Sequence, residues 1–173
     1  MTIDFTLLDQ VYAPLVHQLI IDCAAAGYNL VPYYGYRSLQ DQAKLWRRSR
    51  TSDAVNSEIA SLRAQGCDYL ASVVDNVGPQ SSGPWATNAI PGLSWHNWGQ
   101  AVDFYWQMEN NRVNWDGDGV GYKILGQQAN LLGLKWGGEF STPDYDHVQM
   151  NKQEIPKIYS LKYVNDYFEG KST

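Results

Sequence analysis

Between Leu7 and Cys23 the apolar residues Leu8, Val11, Tyr12, Leu15, Val16, Leu19, Ile20 and Cys23 recur at spacings of three and four. That is the period of one helix face, and Gly27 offers a stop, so the pattern predicts a core helix. YNLVPYY reads next as a short strand. Ser38 and Asp41 form an S-x-x-D cap that opens a second helix through about Arg48. Residues 52–65 and 68–76 read as further helical pieces. VGPQSSGPWATNAIPG, rich in Gly, Pro and Ser, then reads as loop and delivers the chain to His96. In AVDFYW the alternation puts Val102, Phe104 and Trp106 on one face of a strand and Ala101, Asp103 and Tyr105 on the other. Tyr122, Leu125, Ala129 and Leu132 mark another amphipathic helix that stops at Gly133. Two short strands, LKWG and HVQM, flank the loop GEFSTPDYD, and a last helix with Pro156 in its first turns is expected over residues 153–168. Short strands that do not alternate regularly with the helices predict an α+β fold: a small antiparallel sheet with helices packed around it. With no internal repeat and no linker, the expectation is one domain over 1–173, its motif-bearing core at about 28–150.

Composition adds limits. At 173 residues the chain is long enough for one real core. A formal net charge of -5 provides no basic footprint for nucleic acid or anionic membrane. No basic segment leads into an apolar run at the start, and no stretch of about 18 apolar residues is present, so neither an export signal nor membrane insertion is expected. Seven Trp and twelve Tyr suit a groove for an extended polar ligand. Only Cys23 and Cys67 are present, which favours reduced thiols over a disulfide framework, with a single bridge left open.

Of the three histidines, His17 reads as an ordinary helix residue. A catalytic zinc site needs three N, O or S ligands and a position left for water, and His96, Asp103 and His147 can supply N, O and N. Residues seven apart on an unbroken strand face opposite ways, so His96 and Asp103 converge only if the chain bends between them. Asn97, Trp98 and Gly99 can supply the bend, because glycine tolerates the dihedrals of a tight turn or bulge. Taken singly, each residue reads more readily as a hydrogen-bonded packing residue or a cap than as a ligand. A second metal pattern, Asn114, Asp116, Asp118 and Gly119, follows a calcium loop at positions one, three, five and six. Leu125 stands where that loop needs a bidentate Glu, so a solvated Asp-Gly turn is preferred over weak calcium binding.

Together, SWHNWGQAVD and DYDH (144–147) resemble S-x-H-x-x-G-x-A-x-D and D-x-x-H of the zinc D,D-carboxypeptidase and L-alanyl-D-glutamate peptidase family, which includes vancomycin-resistance dipeptidases and many bacteriophage endolysins. GYRSLQDQ resembles its G-Y-R-S-x-x-x-Q element, and WGGEF resembles the W-G-G-[D/E] stretch of the L-alanyl-D-glutamate branch. The four elements stand in family order from Gly35 to Gln149. The resemblance implies that His96, Asp103 and His147 bind zinc, that Asp144 is the general base, and that Arg37 contacts substrate. Asp146 departs from the proline or other non-acidic residue usual there. It ranks below Asp144 as base because, if His147 begins a strand, Asp146 points away from its face. Ser94 is expected to orient a ligand or the substrate, Glu139 to be a hydrogen-bond partner behind the metal ligands, and Gln42 and Gln149 to brace the site.

The function implied is zinc-dependent hydrolysis of bacterial peptidoglycan stem peptides at the L-alanyl-D-glutamate bond by a monomeric endolysin. Such an enzyme accumulates in the host cytoplasm and reaches the periplasm and wall after holin-type release. The alternatives are a D-alanyl-D-alanine carboxypeptidase or dipeptidase, and a non-catalytic zinc module on the Hedgehog-like scaffold. Retention of Asp144 together with the three ligands argues against the last.

Overall fold

The computed structural model describes residues 3–78, 83–108, 111–117 and 119–172. After a 3-10 turn at Phe5–Leu7 come helix α1 (Tyr12–Ala25), strand β1 (Asn29–Tyr34) and helices α2 (Leu39–Arg47), α3 (Ser52–Ala64) and α4 (Asp68–Asn76). A 3-10 turn at Trp95–Trp98 precedes strands β2 (Ala101–Gln107) and β3 (Val113–Asn114), helix α5 (Val120–Leu131) and strand β4 (Lys135–Trp136). A third such turn, Gly137–Glu139, leads to strand β5 (His147–Gln149) and helices α6 (Ile155–Ile158) and α7 (Leu161–Gly170). By its internal contacts the chain divides into two compact units, Met1–Tyr36 with Trp98–Lys152, and Arg37–Asn97 with Gln153–Thr173.

The first unit holds the sheet. Its path is β1-β2-β5-β4, with β3 added to β2, and every pairing is antiparallel. Alternation along β2 works as the sequence implies. Val102 and Phe104 are fully buried among Tyr12, Val16, Leu19 and Cys23 of α1 and Tyr122, Leu125 and Ala129 of α5, while Asp103 and Tyr105 stand on the opposite face. Tyr12, also fully buried, reaches through this core to donate from its hydroxyl to the carbonyl of Val148 in β5 at 2.7 Å. Burial first, and the charge of Asp103 next, push the Tyr12 phenol up, so it stays a neutral donor.

The register between β1 and β2 slips after Pro32 pairs with Phe104, because Tyr34 then pairs with Asp103 and Tyr33 is the extra residue. Such a bulge re-aims a side chain. Here Tyr33 turns its hydroxyl onto Asp146 Oδ2 at 2.7 Å.

In the second unit α2 opens on Ser38, whose hydroxyl accepts the N–H of Asp41 as the S-x-x-D pattern predicts. Trp46, Val55, Leu62, Leu70, Val74 and Val164 form its interior, and Asn165 of α7 accepts the N–H of Leu70. Among the described residues of the 77–92 segment no helix or strand occurs, as expected of its Gly and Pro content. The single helix expected over 153–168 is instead two. Tyr159 is extended (φ -124°, ψ 139°), and the Ser160 hydroxyl accepts the N–H of Tyr163 at 3.1 Å, so a fresh N-cap starts α7. Apolar spacing continuous across the break hides it from a periodicity argument.

Cys23 and Cys67 are both free and buried, and burial drives the Cys23 thiol up to about 12. His17 stacks on Phe5 with ring centroids 4.1 Å apart, an ordinary helix-surface contact. Among the described residues no helix is long and apolar enough to cross a membrane.

Candidate metal centre and active site

Asp103 and His147 face each other because of sheet register. The pairing of β2 with β5 sets Asp103 directly opposite His147, and side chains opposite one another in an antiparallel pair share a face. Asp103 Oδ1 lies 3.0 Å from His147 Nδ1. His96 comes from the 3-10 turn Trp95–Trp98, five residues before β2. The bend that convergence demanded is present: Gly99 has φ +69°, and a Cβ there would lie 2.7 Å from the carbonyl oxygen of Leu7. Only glycine meets both conditions.

One ligand atom each from His96, Asp103 and His147 lies within 4.8 Å of the others. Zinc bonds of about 2.0–2.2 Å to N and O set tetrahedral ligands about 3.3–3.6 Å apart, so separations from 3.0 to 4.8 Å bracket what such an ion requires. All three are shielded from solvent: His96 and His147 are buried, and Asp103 is buried in large part. Two imidazoles and a carboxylate are the donor set of a catalytic zinc.

Asp144 follows from the W-G-G segment. The N–H of Asp144 donates to the Gly137 carbonyl at 2.9 Å and the N–H of His147 to the Asp144 carbonyl at 3.2 Å, so the loop turns onto the base of β5. A Cβ at Gly137 would stand 2.3 Å from the Asp144 carbonyl oxygen, which is why this backbone approach takes a glycine. Asp144 lines a cavity of about 340 Å³ with Trp115, Asp116, Tyr122, Tyr145 and Asp146. Burial above all, and then the hydrogen bond with Asp146, raise the Asp144 carboxyl to about 7. At His147 burial pulls the imidazole down. The hydrogen bond and charge of Asp103, with contributions from Asp144 and Gln149, outweigh it, and the net shift is upward.

Asp146 does not point away as strand alternation suggested. Strand β5 begins only at His147, so Asp146 lies in the turn before it, where the period of two does not apply, and it lines the same cavity as Asp144. What distinguishes it is its partner, since its Oδ2 accepts the Tyr33 hydroxyl.

The bracing residues divide. Gln42, fully buried in α2, accepts from Arg37 Nη1 at 2.9 Å and donates to the Ala89 carbonyl at 2.7 Å. The N–H of Arg37 donates to the His96 carbonyl at 3.1 Å, so Gly35 to Gln42 holds both a guanidinium and the main chain of a ligand. The Ser94 carbonyl accepts the N–H of Asn97 at 2.9 Å and so closes the turn that carries His96. Glu139 does not take the place expected for it behind the ligands. Its carboxylate is bound to Lys135 Nζ at 2.5 Å and Asn130 Nδ2 at 2.7 Å, and the Lys135 hydrogen bond first, then that of Asn130, lower its pKa. The residue in contact with His147 Nε2 is Gln149, with Oε1 at 3.0 Å. In the Asp-Gly loop, Asn114 Oδ1 accepts the N–H of Asp116 at 2.7 Å, the self-bonded turn preferred over calcium; Asp118 lies outside the described residues.

Comparison with known proteins finds relatives in sequence and in fold. The protein is 26% identical over 135 residues to the peptidoglycan L-alanyl-D-glutamate endopeptidase CwlK of Bacillus subtilis (strain 168), a match covering 73% of this chain and 64% of that protein. The solved LdcB LD-carboxypeptidase superposes with a TM-score of 0.50 at 18% identity, over 93% of this chain and 64% of that one. A vancomycin-resistance D,D-pentapeptidase VanY solved in complex with Zn(II) gives a TM-score of 0.48 at 18% identity, over 83% and 72%. The chain thus spans 64% of the length of CwlK and of LdcB. The VanY family model, described as D-alanyl-D-alanine carboxypeptidase, matches residues 6–137, which include Arg37, His96 and Asp103; Asp144 and His147 lie beyond the matched span, in the loop and strand that the fold brings against Asp103. On that match, extending over well more than half its length, the chain belongs to the VanY family.

Proposed function

We propose that this protein is a zinc-dependent peptidase of bacterial peptidoglycan that hydrolyses the bond between L-alanine and D-glutamate in the stem peptide. The observation that carries the reading is the convergence of His96, Asp103 and His147 with a raised carboxyl, Asp144, in the adjoining turn. Those three residues would hold the ion, and zinc bound there supplies Lewis-acid polarisation of a carbonyl and lowers the pKa of water to about 7.

The remaining chemistry belongs to the chain. Asp144 accepts the proton of the attacking water and returns it to the departing amine, so one carboxyl serves as base and then as acid. Its shift toward neutrality, caused first by burial, suits both halves of that task, and Asp144 lines the 340 Å³ cavity. Arg37, always charged and aimed by Gln42, provides a fixed cation for the developing oxyanion or for a carboxylate of the peptide.

The endopeptidase reading is supported by the W-G-G-E element and by the likeness to CwlK. The family description favours removal of terminal D-alanine instead. Digestion of purified peptidoglycan followed by mass spectrometry of the new termini decides between them. New N-terminal D-glutamate is expected, and released D-alanine without it would refute the proposal. An endolysin role, with release of the enzyme from the host cytoplasm to the wall, is part of the same reading; it rests on the sequence resemblance and is tested by lysis of intact cells after membrane permeabilisation.

A further inference from the structure

We infer that Gln149 is a positioning residue that selects which nitrogen of His147 meets the metal, an inference that rests on the zinc-site reading above. Gln149 stands two residues after His147 on β5 and therefore on the same face, and both side chains are buried. Its amide is held at both ends. Nε2 lies 2.6 Å from the main-chain carbonyl of Asn151, and Oε1 lies 3.0 Å from His147 Nε2. A carbonyl oxygen only accepts, so the group facing Asn151 is the NH2, and the atom left facing the imidazole is the amide oxygen. That oxygen also only accepts. His147 Nε2 therefore keeps its proton, and Nδ1, on the Asp103 side at 3.0 Å, is the nitrogen that gives up a proton and offers a lone pair to the ion.

The carbonyl that orients Gln149 is itself fixed. Asn151 Nδ2 donates to Gln100 Oε1 at 2.7 Å, and Gln100 Nε2 donates to Asp9 Oδ2 at 3.2 Å. Asp9 Oδ1 accepts the N–H groups of Val11 and Tyr12 at the start of α1, at 2.8 and 3.2 Å. Asp9 Oδ2 accepts from the Gln100 NH2, so the direction of the Gln100 amide is set from the Asp9 end and leaves Oε1 to receive Asn151. The chain of bonds runs from a helix N-terminus to a metal ligand without an ambiguous link.

The test uses the full chain with two substitutions, Gln149→Met, which removes the acceptor at similar length, and Gln149→Glu, which keeps an acceptor and loses the donor to Asn151. Zinc affinity is measured by competition with a chromophoric chelator. The nitrogen bound to zinc is identified in the zinc-loaded wild type, labelled with 15N-histidine, by proton–nitrogen correlation. The expected results are zinc on Nδ1 with a proton retained on Nε2, an affinity lower by about 10–100-fold for Gln149→Met, and an affinity within about threefold of wild type for Gln149→Glu. A role confined to packing predicts the reverse order, because Glu buries a charge where Met does not. Zinc on Nε2, or equal affinity for wild type and Gln149→Met, would overturn the inference, and the nitrogen assignment stands even if a variant fails to fold. Absence of stoichiometric zinc from the wild type would overturn the underlying site and this inference with it, an outcome distinguishable because it needs no substitution.

Discussion

Replacing Tyr12 by Phe removes a single oxygen from the centre of the sheet-bearing unit. The ring remains, so its packing against Val16, Leu19, Phe104 and the rest of the core is unchanged, and the apolar burial term cancels. What is lost is the 2.7 Å bond from its hydroxyl to the Val148 carbonyl, in a place with no access for water since Tyr12 and Val148 are both fully buried. A buried acceptor deprived of its donor costs about 1–3 kcal/mol, more than the roughly 1 kcal/mol net value of an ordinary hydrogen bond. For a chain of this length each kcal/mol lowers the melting temperature by about 2–4 °C, so the metal-free variant is expected to melt about 2–12 °C below wild type. Differential scanning calorimetry in excess chelator measures it. Val148 lies between His147 and Gln149, so the same variant should also bind zinc more weakly, by less than either ligand's removal would cause. A melting temperature within about 1 °C of wild type, against the expectation from burial and bond loss, would refute the claim that Tyr12 pins β5.

Other substitutions separate the roles assigned around the site. Asp144→Asn should lower kcat by about 10²–10⁴-fold while zinc stoichiometry stays at the wild-type level, since it removes a general base and no ligand; unchanged turnover would reject the assignment. Glu139→Gln should leave turnover within about twofold, because its carboxylate is engaged by Lys135 and Asn130 and not by a metal ligand; a loss comparable to that of Asp144→Asn would restore the role behind the ligands that its sequence position suggested. Gly99→Ala should destabilise the fold and reduce zinc affinity together, as its Cβ meets the Leu7 carbonyl at 2.7 Å at a positive φ. Metal-free stability should fall as pH rises. Asp144, raised to about 7, and His147, also raised, both bind protons in the folded state more tightly than when unfolded, so their contribution is complete below the unfolded values and lost through the folded ones. Stabilisation by added zinc should correspondingly be larger at pH 8 than at pH 6; thermal melts that show the opposite trend would contradict the shifts.

Most of the helices, and the residues proposed as metal ligands and base, were legible in the sequence because their signals are local or motif-like. The spacing of Leu8, Tyr12, Val16 and Leu19 marks a helix face, Ser38 with Asp41 marks a cap, and the alternation in AVDFYW marks both faces of β2. His96, Asp103, Asp144 and His147 stood out through the resemblance, and the sheet register then supplied the physical reason that Asp103 meets His147. What escaped was relational. The bulge that turns Tyr33 toward Asp146 depends on where β1 slips against β2, which no local pattern encodes. Alternation misjudged Asp146 because the period of two was carried back past the first residue of β5, His147, into the turn before it. Glu139 was expected as a partner behind the ligands, yet Lys135, four residues before it, captures it by charge. The links joining Asp9, Gln100, Asn151 and Gln149 are mostly side-chain amides, which have no periodicity and become meaningful only when their donors and acceptors are paired in space.

X-ray absorption at the zinc edge of the loaded protein reads the ligand set itself. One zinc per chain is expected, with imidazole scattering from two histidines and light-atom distances of about 2.0–2.2 Å. Sulfur at about 2.3 Å would place the ion on Cys23 or Cys67 instead. That result, or a spectrum unaltered by His96→Ala and His147→Ala, would contradict a catalytic centre built from His96, Asp103 and His147.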